Sequence, residues 1–337
     1  MALDTIDVTG GLEDEFRRSI TYLRVSVTDK CNLRCIYCMP PSGLPWIPNS
    51  QTLTYEEIVS LVDAAASVGV RSVRLTGGEP LVRPDLARLI RRLRAIDGIE
   101  DISLSTNGLL LREHIEELRS AGLRRVNISL DTLRPERFFV IARRDGLDRV
   151  LDALDAAVEY GLEPVKLNCV VMRGQNDDEI GDFAALTRSR PIFVRFIEMM
   201  PVPENVELQR DMYIGAGEIL RRVEQIARIA PVTGPTGNGP ARYFSFEGAP
   251  GAVGVISPLS HDYCQSCNRV RLSADGRLRL CLFGDYALDL RSALRGGASR
   301  KRIVEMLQAS MLIKPERHHL ELGKTASAMR AFSQIGG

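Results

Sequence analysis

No stretch of this 337-residue chain is apolar for long enough to cross a membrane. Its opening, Met1 to Arg18, is polar and acidic, without the apolar segment that directs secretion. An excess of charge of one sign is lacking too. Forty-four basic residues stand against forty-three acidic ones, a formal charge of +1. That leaves no global attraction to nucleic acid or a lipid surface, so an anionic ligand must be held by local positive charge. No G-x-G-x-x-G follows a strand, which removes the dinucleotide-binding fingerprint. An even set of cysteines is missing: there are seven, which suits a disulfide framework badly. These absences predict a cytoplasmic protein with reduced thiols, where clustered cysteines bind metal more often than they pair. A hydrophobic content of 45% is ample for a core. The length allows two or three domains, or one large barrel with an appendage.

What is present is an alternation of short apolar strands and amphipathic helices. The strands read as "YLRVSVT" (22–28), "SVRLTG" (72–77), "DISLSTN" (101–107), "RVNISLD" (125–131), "PVKLNCVV" (164–171) and "IFVRFIEM" (192–199). One helix begins near Thr54, with Glu56 and Glu57 in its first turn, and stops at Gly69. Others follow Pro84 and Asp85, end near Gly122, and run through "LDRVLDALDAAVEY" to Gly161. Such alternation implies right-handed βαβ units and a parallel sheet.

Every second strand residue shares a face. Arg24, Ser26 and Thr28 share one, as do Arg74 and Thr76, Ser103 and Ser105, Asn127 and Ser129, and Lys166 and Asn168. The opposite faces are mostly Val, Leu and Ile. A sheet covered by helices is apolar on the helix side, so the polar faces point together. A full eight-stranded barrel fills its middle with branched apolar side chains; this one would carry Arg, Lys, Ser and Asn. The expected fold is α/β, an incomplete (β/α)6 barrel of the TIM type around a polar chamber suited to an anion. The alternative is a flat sheet with one solvated face. Chemistry belongs at the carboxyl ends of such strands, where the loops read "DKCNLRCIYCMP", "GGEP", "STNG", "SLD" and "EMMP".

The first of these loops holds Cys31, Cys35 and Cys38. Zinc sites usually need four ligands, and the nearest histidine, His114, reads as a helix residue. Three thiolates can hold four irons and leave one open to bind substrate and pass an electron. The C-x₃-C-x₂-C spacing, with Tyr37 before the last cysteine, resembles the radical S-adenosylmethionine (SAM) superfamily. "LTGGEPLVRPDL" resembles the stretch that holds the SAM amino group there. Gly77 and Gly78 let backbone approach closely, and Glu79 offers an acceptor to an ammonium. A second group, Cys264, Cys267 and Cys281, leaves zinc and iron–sulfur both open on spacing alone, since His261 could complete a zinc site. Arg269 and Arg271, on one face of a strand beside it, read as a polyphosphate clamp.

Both triads, their spacings and the terminal Gly336 and Gly337 together resemble the GTP 3′,8-cyclase family of molybdenum-cofactor biosynthesis, over about residues 20 to 337. The resemblance implies a lyase with two 4Fe–4S clusters and SAM. The first cluster, on Cys31, Cys35 and Cys38, would cleave SAM. The second, on Cys264, Cys267 and Cys281, would meet the guanine base. Family SAM contacts correspond to Tyr37, Gly78, Ser129 and Met200. Family GTP contacts correspond to Arg24, Arg74, Ser105, Lys166, Arg269, Val270 and Arg271. Ser105 is often Thr in relatives, and the hydroxyl is kept. The implied partners are GTP, a reduced flavodoxin- or ferredoxin-type electron donor, and a cyclic pyranopterin monophosphate synthase that uses the product. No nucleic acid or membrane is implied, and a homodimer is left open. The rivals are a radical SAM peptide-modifying enzyme with an auxiliary cluster, and a non-catalytic zinc protein.

The expected division is an N-terminal arm (1–20), whose acidic, glycine-containing makeup suggests mobility, a radical SAM partial barrel (21–230), and a C-terminal cluster- and GTP-binding region (231–337). The polar strand faces and the family's ligand positions coincide at Arg24, Arg74, Ser105, Ser129 and Lys166. Met200, taken alone, reads as ordinary core. Cys169 falls on the helix side of its strand and reads as a buried structural thiol. The tail "SQIGG" is expected to enter the chamber as a strand-like segment.

Overall fold

Each of the six strands read from the sequence is present in the computed structural model, which describes residues 11–201, 205–235, 239–324 and 332–335. They are β1 (Tyr22–Ser26), β2 (Ser72–Thr76), β3 (Asp101–Thr106), β4 (Arg125–Ser129), β5 (Val165–Val171) and β6 (Ile192–Glu198), parallel and adjacent in chain order. Between them run α1 (Tyr55–Ala66), α2 (Leu86–Arg94), α3 (Leu111–Ser120), α4 (Pro135–Ala142), α5 (Leu147–Glu159) and α6 (Ile180–Ser189).

Local chemistry sets the helix ends. The Thr54 hydroxyl accepts from Glu57 N–H at 3.1 Å, and the Glu57 carboxylate accepts from Thr54 N–H at 2.8 Å, a complete capping box at the start of α1. Gly69, at φ +111°, turns the chain into β2. The apolar strand faces, including Val25, Val73, Ile102, Val126, Leu167 and Val194, are buried with Ile58, Leu89, Leu118, Leu154 and Phe183 from the helices. Burial of each such side chain contributes about 1.5–3 kcal/mol.

The C-terminal region does not stand apart from this sheet. After α7 (Val206–Met212) and α8 (Ala216–Glu224) come β7 (Ile229–Val232), β8 (Arg242–Phe246) and β9 (Ala252–Ile256), with β9 parallel to β6. The chain then crosses the open side of the barrel to β10 (Arg269–Leu272), which runs parallel to β1, and to antiparallel β11 (Arg277–Arg279) and β12 (Ala287–Asp289). The strand order is β12-β11-β10-β1-β2-β3-β4-β5-β6-β9-β8-β7, an unclosed arc. Helices α9 (Leu290–Arg295) and α10 (Arg300–Met311) pack on α1, and α11 (Phe332–Ile335) is a single turn.

The start of the chain departs from expectation. Residues 11–20 are not a mobile arm: Leu12 and Ile20 are in the core, and Leu12 N–H donates to Val68 O at 2.7 Å. Two apolar anchors outweigh the polar composition between them. The first ten residues lie outside the described ones. None of the helices is long and apolar enough to cross a membrane, among the described residues.

Candidate functional site

Strand register lines up cations inside the arc. Arg271 on β10, Arg24 on β1 and Arg74 on β2 stand opposite one another on adjacent strands. Neighbouring parallel strands are about 4.8 Å apart, and like charges placed opposite each other are destabilising. Burial and the neighbouring Arg271 hold Arg24 well below its ordinary range. Burial and Arg269 bring Arg271 down to about 10. Arg74 donates to the Tyr22 hydroxyl, and to Ser105 Oγ at 3.4 Å. Lys166, 3% exposed, is lowered to about 6 by burial and by Arg195, Arg125 and Arg74.

These side chains line one cavity of about 280 Å³. Among the described residues its wall holds six basic side chains, Arg24, Arg74, Lys166, Arg195, Arg269 and Arg271, and two carboxylates, Asp131 and Glu198. Glu198 is committed elsewhere: it accepts from Ala216 N–H, Leu259 N–H and Ser260. A wider cleft of about 440 Å³ lies outside the barrel beside Tyr55, where Arg83 already donates to the Val27 and Leu53 carbonyls.

Cys31, Cys35 and Cys38 line the cavity at the carboxyl end of β1, with Tyr37, Gly77, Gly78, Ser129 and Met200. The loop carrying them is backed by α4: Arg34 N–H donates to Ala142 O and Ile36 N–H to Ile141 O, each at 3.0 Å. The GGEP loop is stitched to it as well. Gly78 N–H donates to Thr28 O at 2.9 Å and Glu79 N–H to Lys30 O at 2.8 Å. A Cβ on Gly77 would strike Thr28 O, and one on Gly78 would strike Lys30 O and Asp29 O. The glycines are therefore needed for packing as well as for ligand approach. Burial pushes the Cys31 thiol up to about 11. Burial, Asp131 and the two companion thiols push Cys35 well above its usual value.

Two acidic side chains at this end do not sit where the motifs suggested. Glu79, 0% exposed, does not reach into the cavity as an ammonium acceptor. It accepts from Leu81 N–H at 3.0 Å, Thr106 Oγ1 at 2.8 Å and Asn107 N–H at 2.7 Å, and burial raises it to about 7. A carboxylate that does line the cavity, besides the committed Glu198, is Asp131, just past β4, which the sequence reading passed over. It accepts from the Tyr37 hydroxyl at 2.9 Å and Val170 N–H at 2.8 Å, and burial raises it to about 6. Its signals were the "SLD" loop at a strand's carboxyl end and its place on the face of Asn127 and Ser129 in the strand read over 125–131.

The second triad lies at the other end of the strands. Cys264 and Cys267 precede β10, parallel to β1, whereas Cys31 follows β1. Cys281 follows β11, which returns antiparallel to the same level. The five residues of β1 separate the two ends, roughly 16 Å at about 3.3 Å per residue. These thiols do not line the cavity, but Tyr263, Arg269 and Leu282 beside them do. Burial pushes Cys267 up, yet Arg269 and Lys314 outweigh it and the net direction is down. The side chain of Val270 packs in the apolar core, so only its backbone is available to a ligand. Met200 packs with Phe283 and Cys281 and also reaches the cavity.

His261 is exposed. The histidine beside the triad is His318, whose backbone N–H donates to the Cys264 thiol and whose ring lies edge-on to Phe283, centroids 5.1 Å apart. Cys169 is buried, as expected. All seven cysteines are free. Among the described residues no three His, Cys, Asp or Glu side chains converge on a single-ion site. Each triad instead presents three neighbouring thiols, an all-sulfur donor set that suits iron–sulfur clusters. The tail glycines Gly336 and Gly337 lie outside the described residues. The segment before them is a helical turn rather than a strand, and Ser333, 3% exposed, lines the cavity.

Comparison with known proteins gives two matching family models. Residues 25–187 match the Radical SAM superfamily model and residues 192–320 match Molybdenum Cofactor Synthesis C. The chain is 49% identical to GTP 3′,8-cyclase of Heliobacterium modesticaldum, over 96% of this chain and 99% of that one. It is 46% identical to that of Moorella thermoacetica, over 97% and 100%. Among solved structures, Streptococcus suis SuiB bound to S-adenosylmethionine superposes with a TM-score of 0.59 at 16% identity, over 85% of this chain and 66% of that one, a likeness of fold.

Proposed function

The chain belongs to the GTP 3′,8-cyclase family of radical SAM enzymes, and we propose that it converts GTP to (8S)-3′,8-cyclo-7,8-dihydroguanosine 5′-triphosphate, the first step of molybdenum-cofactor biosynthesis. The observation that carries this is the in-register row of Arg271, Arg24 and Arg74 in a cavity lined at one end by the first thiol triad and at the other by Tyr263, Arg269 and Leu282, which adjoin the second.

Cys31, Cys35 and Cys38 would hold one 4Fe–4S cluster, and Cys264, Cys267 and Cys281 a second. When bound, the first cluster and SAM supply the one-electron chemistry that makes a ribose C–H bond reactive. The protein's own part is to bind, orient and exclude. Gly78, Ser129, Tyr37 and Met200 would place SAM at the carboxyl ends of the strands. Arg24, Arg74, Ser105, Lys166, Arg269 and Arg271, with Arg195 added from the cavity wall, would hold GTP toward the second triad. Charge-assisted contacts to phosphate contribute about 1.5–3 kcal/mol each. Fixing both reactants within one cavity removes the entropy of bringing them together, worth up to about 7–11 kcal/mol of a barrier. A walled cavity also keeps water and oxygen from a reactive ribose. The reading carries with it a reduced flavodoxin- or ferredoxin-type donor and a cyclic pyranopterin monophosphate synthase downstream.

The test is anaerobic incubation of the reconstituted protein with SAM, reductant and GTP, with product mass and 5′-deoxyadenosine as readouts. Cys31→Ser should release no 5′-deoxyadenosine. Cys281→Ser should still cleave SAM without cyclising GTP. A folded Cys281→Ser variant that loses all SAM cleavage would break the division of labour, and absence of cyclised product from the unmodified protein would remove the proposed activity.

A further inference from the structure

Lys314 lies in the segment that follows α10 and is 3% exposed. Its ammonium donates to Arg269 O at 3.1 Å, to Leu280 O, and to Cys267 Sγ at 3.8 Å. Leu280 adjoins Cys281, and Arg269 lies two residues past Cys267. The three donors of the ammonium are thus directed at the chain that carries the second triad, and none of these three partners is a carboxylate.

The neighbouring buried cation is balanced differently. Arg18 pairs with Asp14 at 2.6 Å, both side chains almost wholly buried. Its remaining donors reach Cys264 O at 2.9 Å, and Pro315 O and Glu316 O at 2.7 Å. Arg18 therefore clamps the segment after Lys314 onto the triad without adding net charge. A buried ammonium without an opposite charge costs several kcal/mol, and the anion best placed to offset Lys314 is sulfur.

We infer that Lys314 is a built-in counter-charge for an iron–sulfur cluster on Cys264, Cys267 and Cys281, a positioning residue that raises the cluster's one-electron reduction potential. This rests on the second-cluster reading proposed above. A cluster held by three thiolates is anionic, and taking up one electron makes it more so. A fixed positive charge within hydrogen-bonding reach of one sulfur stabilises the reduced form more than the oxidised form. Hydrogen bonds to sulfur and local charge are the levers by which proteins set such potentials.

The experiment uses the full chain with Cys31, Cys35 and Cys38 all changed to Ala, reconstituted anaerobically with iron and sulfide so that only the second site can fill. About four irons per chain are expected; a chain without iron removes the second-cluster reading itself, whatever Lys314 does. With iron present, the cluster is titrated electrochemically and followed by electron paramagnetic resonance, in the parent and in Lys314→Gln and Lys314→Arg. The glutamine variant should show a reduction equilibrium constant about tenfold lower, which is about 59 mV more negative for one electron. The arginine variant should stay with the parent. Loss of iron from the glutamine variant alone, with arginine retaining it, would also support the counter-charge. A glutamine variant that titrates with the parent, or loss of iron from both variants alike, would overturn it.

Discussion

Raising the pH from 7 to 8 should weaken GTP binding about ninefold, and Lys166 is the reason. In the free protein, burial and three neighbouring arginines hold this lysine at about 6, so it is mostly neutral at pH 7.5. A polyphosphate placed against it supplies the opposite charge that restores the protonated form. Binding must then take up close to one proton, and the association constant falls by nearly a factor of ten per pH unit between the free and bound values. The sign is fixed by the direction of the shift. Because the bound lysine is the more basic one, binding is stronger at lower pH. Above pH 7 the terminal phosphate is already ionised and adds little slope of its own. Calorimetry without SAM, in buffers of different ionisation enthalpy at one pH, measures the proton directly. Lys166→Met should lose both the proton and the slope, whereas Lys166→Arg should lose the slope but keep most of the affinity. Zero proton uptake by the unmodified protein, or the same uptake by Lys166→Met, would refute the reasoning.

Three further outcomes are expected. In the metal-free chain, limiting iodoacetamide should label Cys267 before Cys35 at pH 7 to 9, because Arg269 and Lys314 favour the Cys267 thiolate while burial and Asp131 disfavour that of Cys35. Peptide mass spectrometry reads the order, and faster labelling of Cys35 would contradict it. Gly78→Ala forces the backbone of residues 29 and 30 to move, so about half of the irons of a two-cluster protein should be lost, with SAM cleavage; iron content at the unmodified level would count against the packing role. Asp131→Asn should weaken SAM binding about tenfold, the scale of one charged contact, and should remove a gain in SAM affinity as pH rises through about 6. Equal weakening of GTP would make Asp131 a purely structural group.

Much of the cavity was legible because strand alternation is rigid. Once Arg24, Arg74 and Lys166 are placed on strands, the period of two leaves little choice of face. The same rule, carried to "IFVRFIEM", places Arg195 inward as well; that residue was readable and went unread. Asp131 was readable too: in the strand read over 125–131 it falls on the face of Asn127 and Ser129. Lys314 was not, because it lies in a connecting segment, where no periodicity relates position to direction. Of the C-terminal strands, β10 was read from Arg269 and Arg271, while β7 and β9 hid for another reason. "IAPV" carries a proline that belongs only at a sheet edge, which is where β7 sits, and "AVGVI" is interrupted by a glycine. The GGEP loop was read for its glycines' access to a ligand, and Gly77 and Gly78 do line the cavity. Their collision with residues 28–30, which pins the cysteine loop, depends on a contact between two loops and has no trace in local sequence.

The cavity is electrically polar along the strand direction, and this bears on why one triad lines one end and the other lies beyond the opposite end. The carboxyl ends of the strands bring Asp131 to the wall near Cys35 and Tyr37, with Glu79 behind it. The opposite end gathers Arg269 and Lys314 around Cys267, with Arg271 beside Arg269. A sulfonium cation is favoured at the first end and a triphosphate at the second, so the two reactants proposed above would sort themselves before any close contact forms. The same polarity acts on the thiols. At the acidic end burial disfavours the thiolates of Cys31 and Cys35, and cluster assembly must displace tightly held protons. At the basic end one thiol is already inclined to ionise. A single charge gradient along β1 would therefore orient the substrates and distinguish the two sulfur sites, with Glu79 and Lys314 acting from outside the wall that Asp131, Arg269 and Arg271 build.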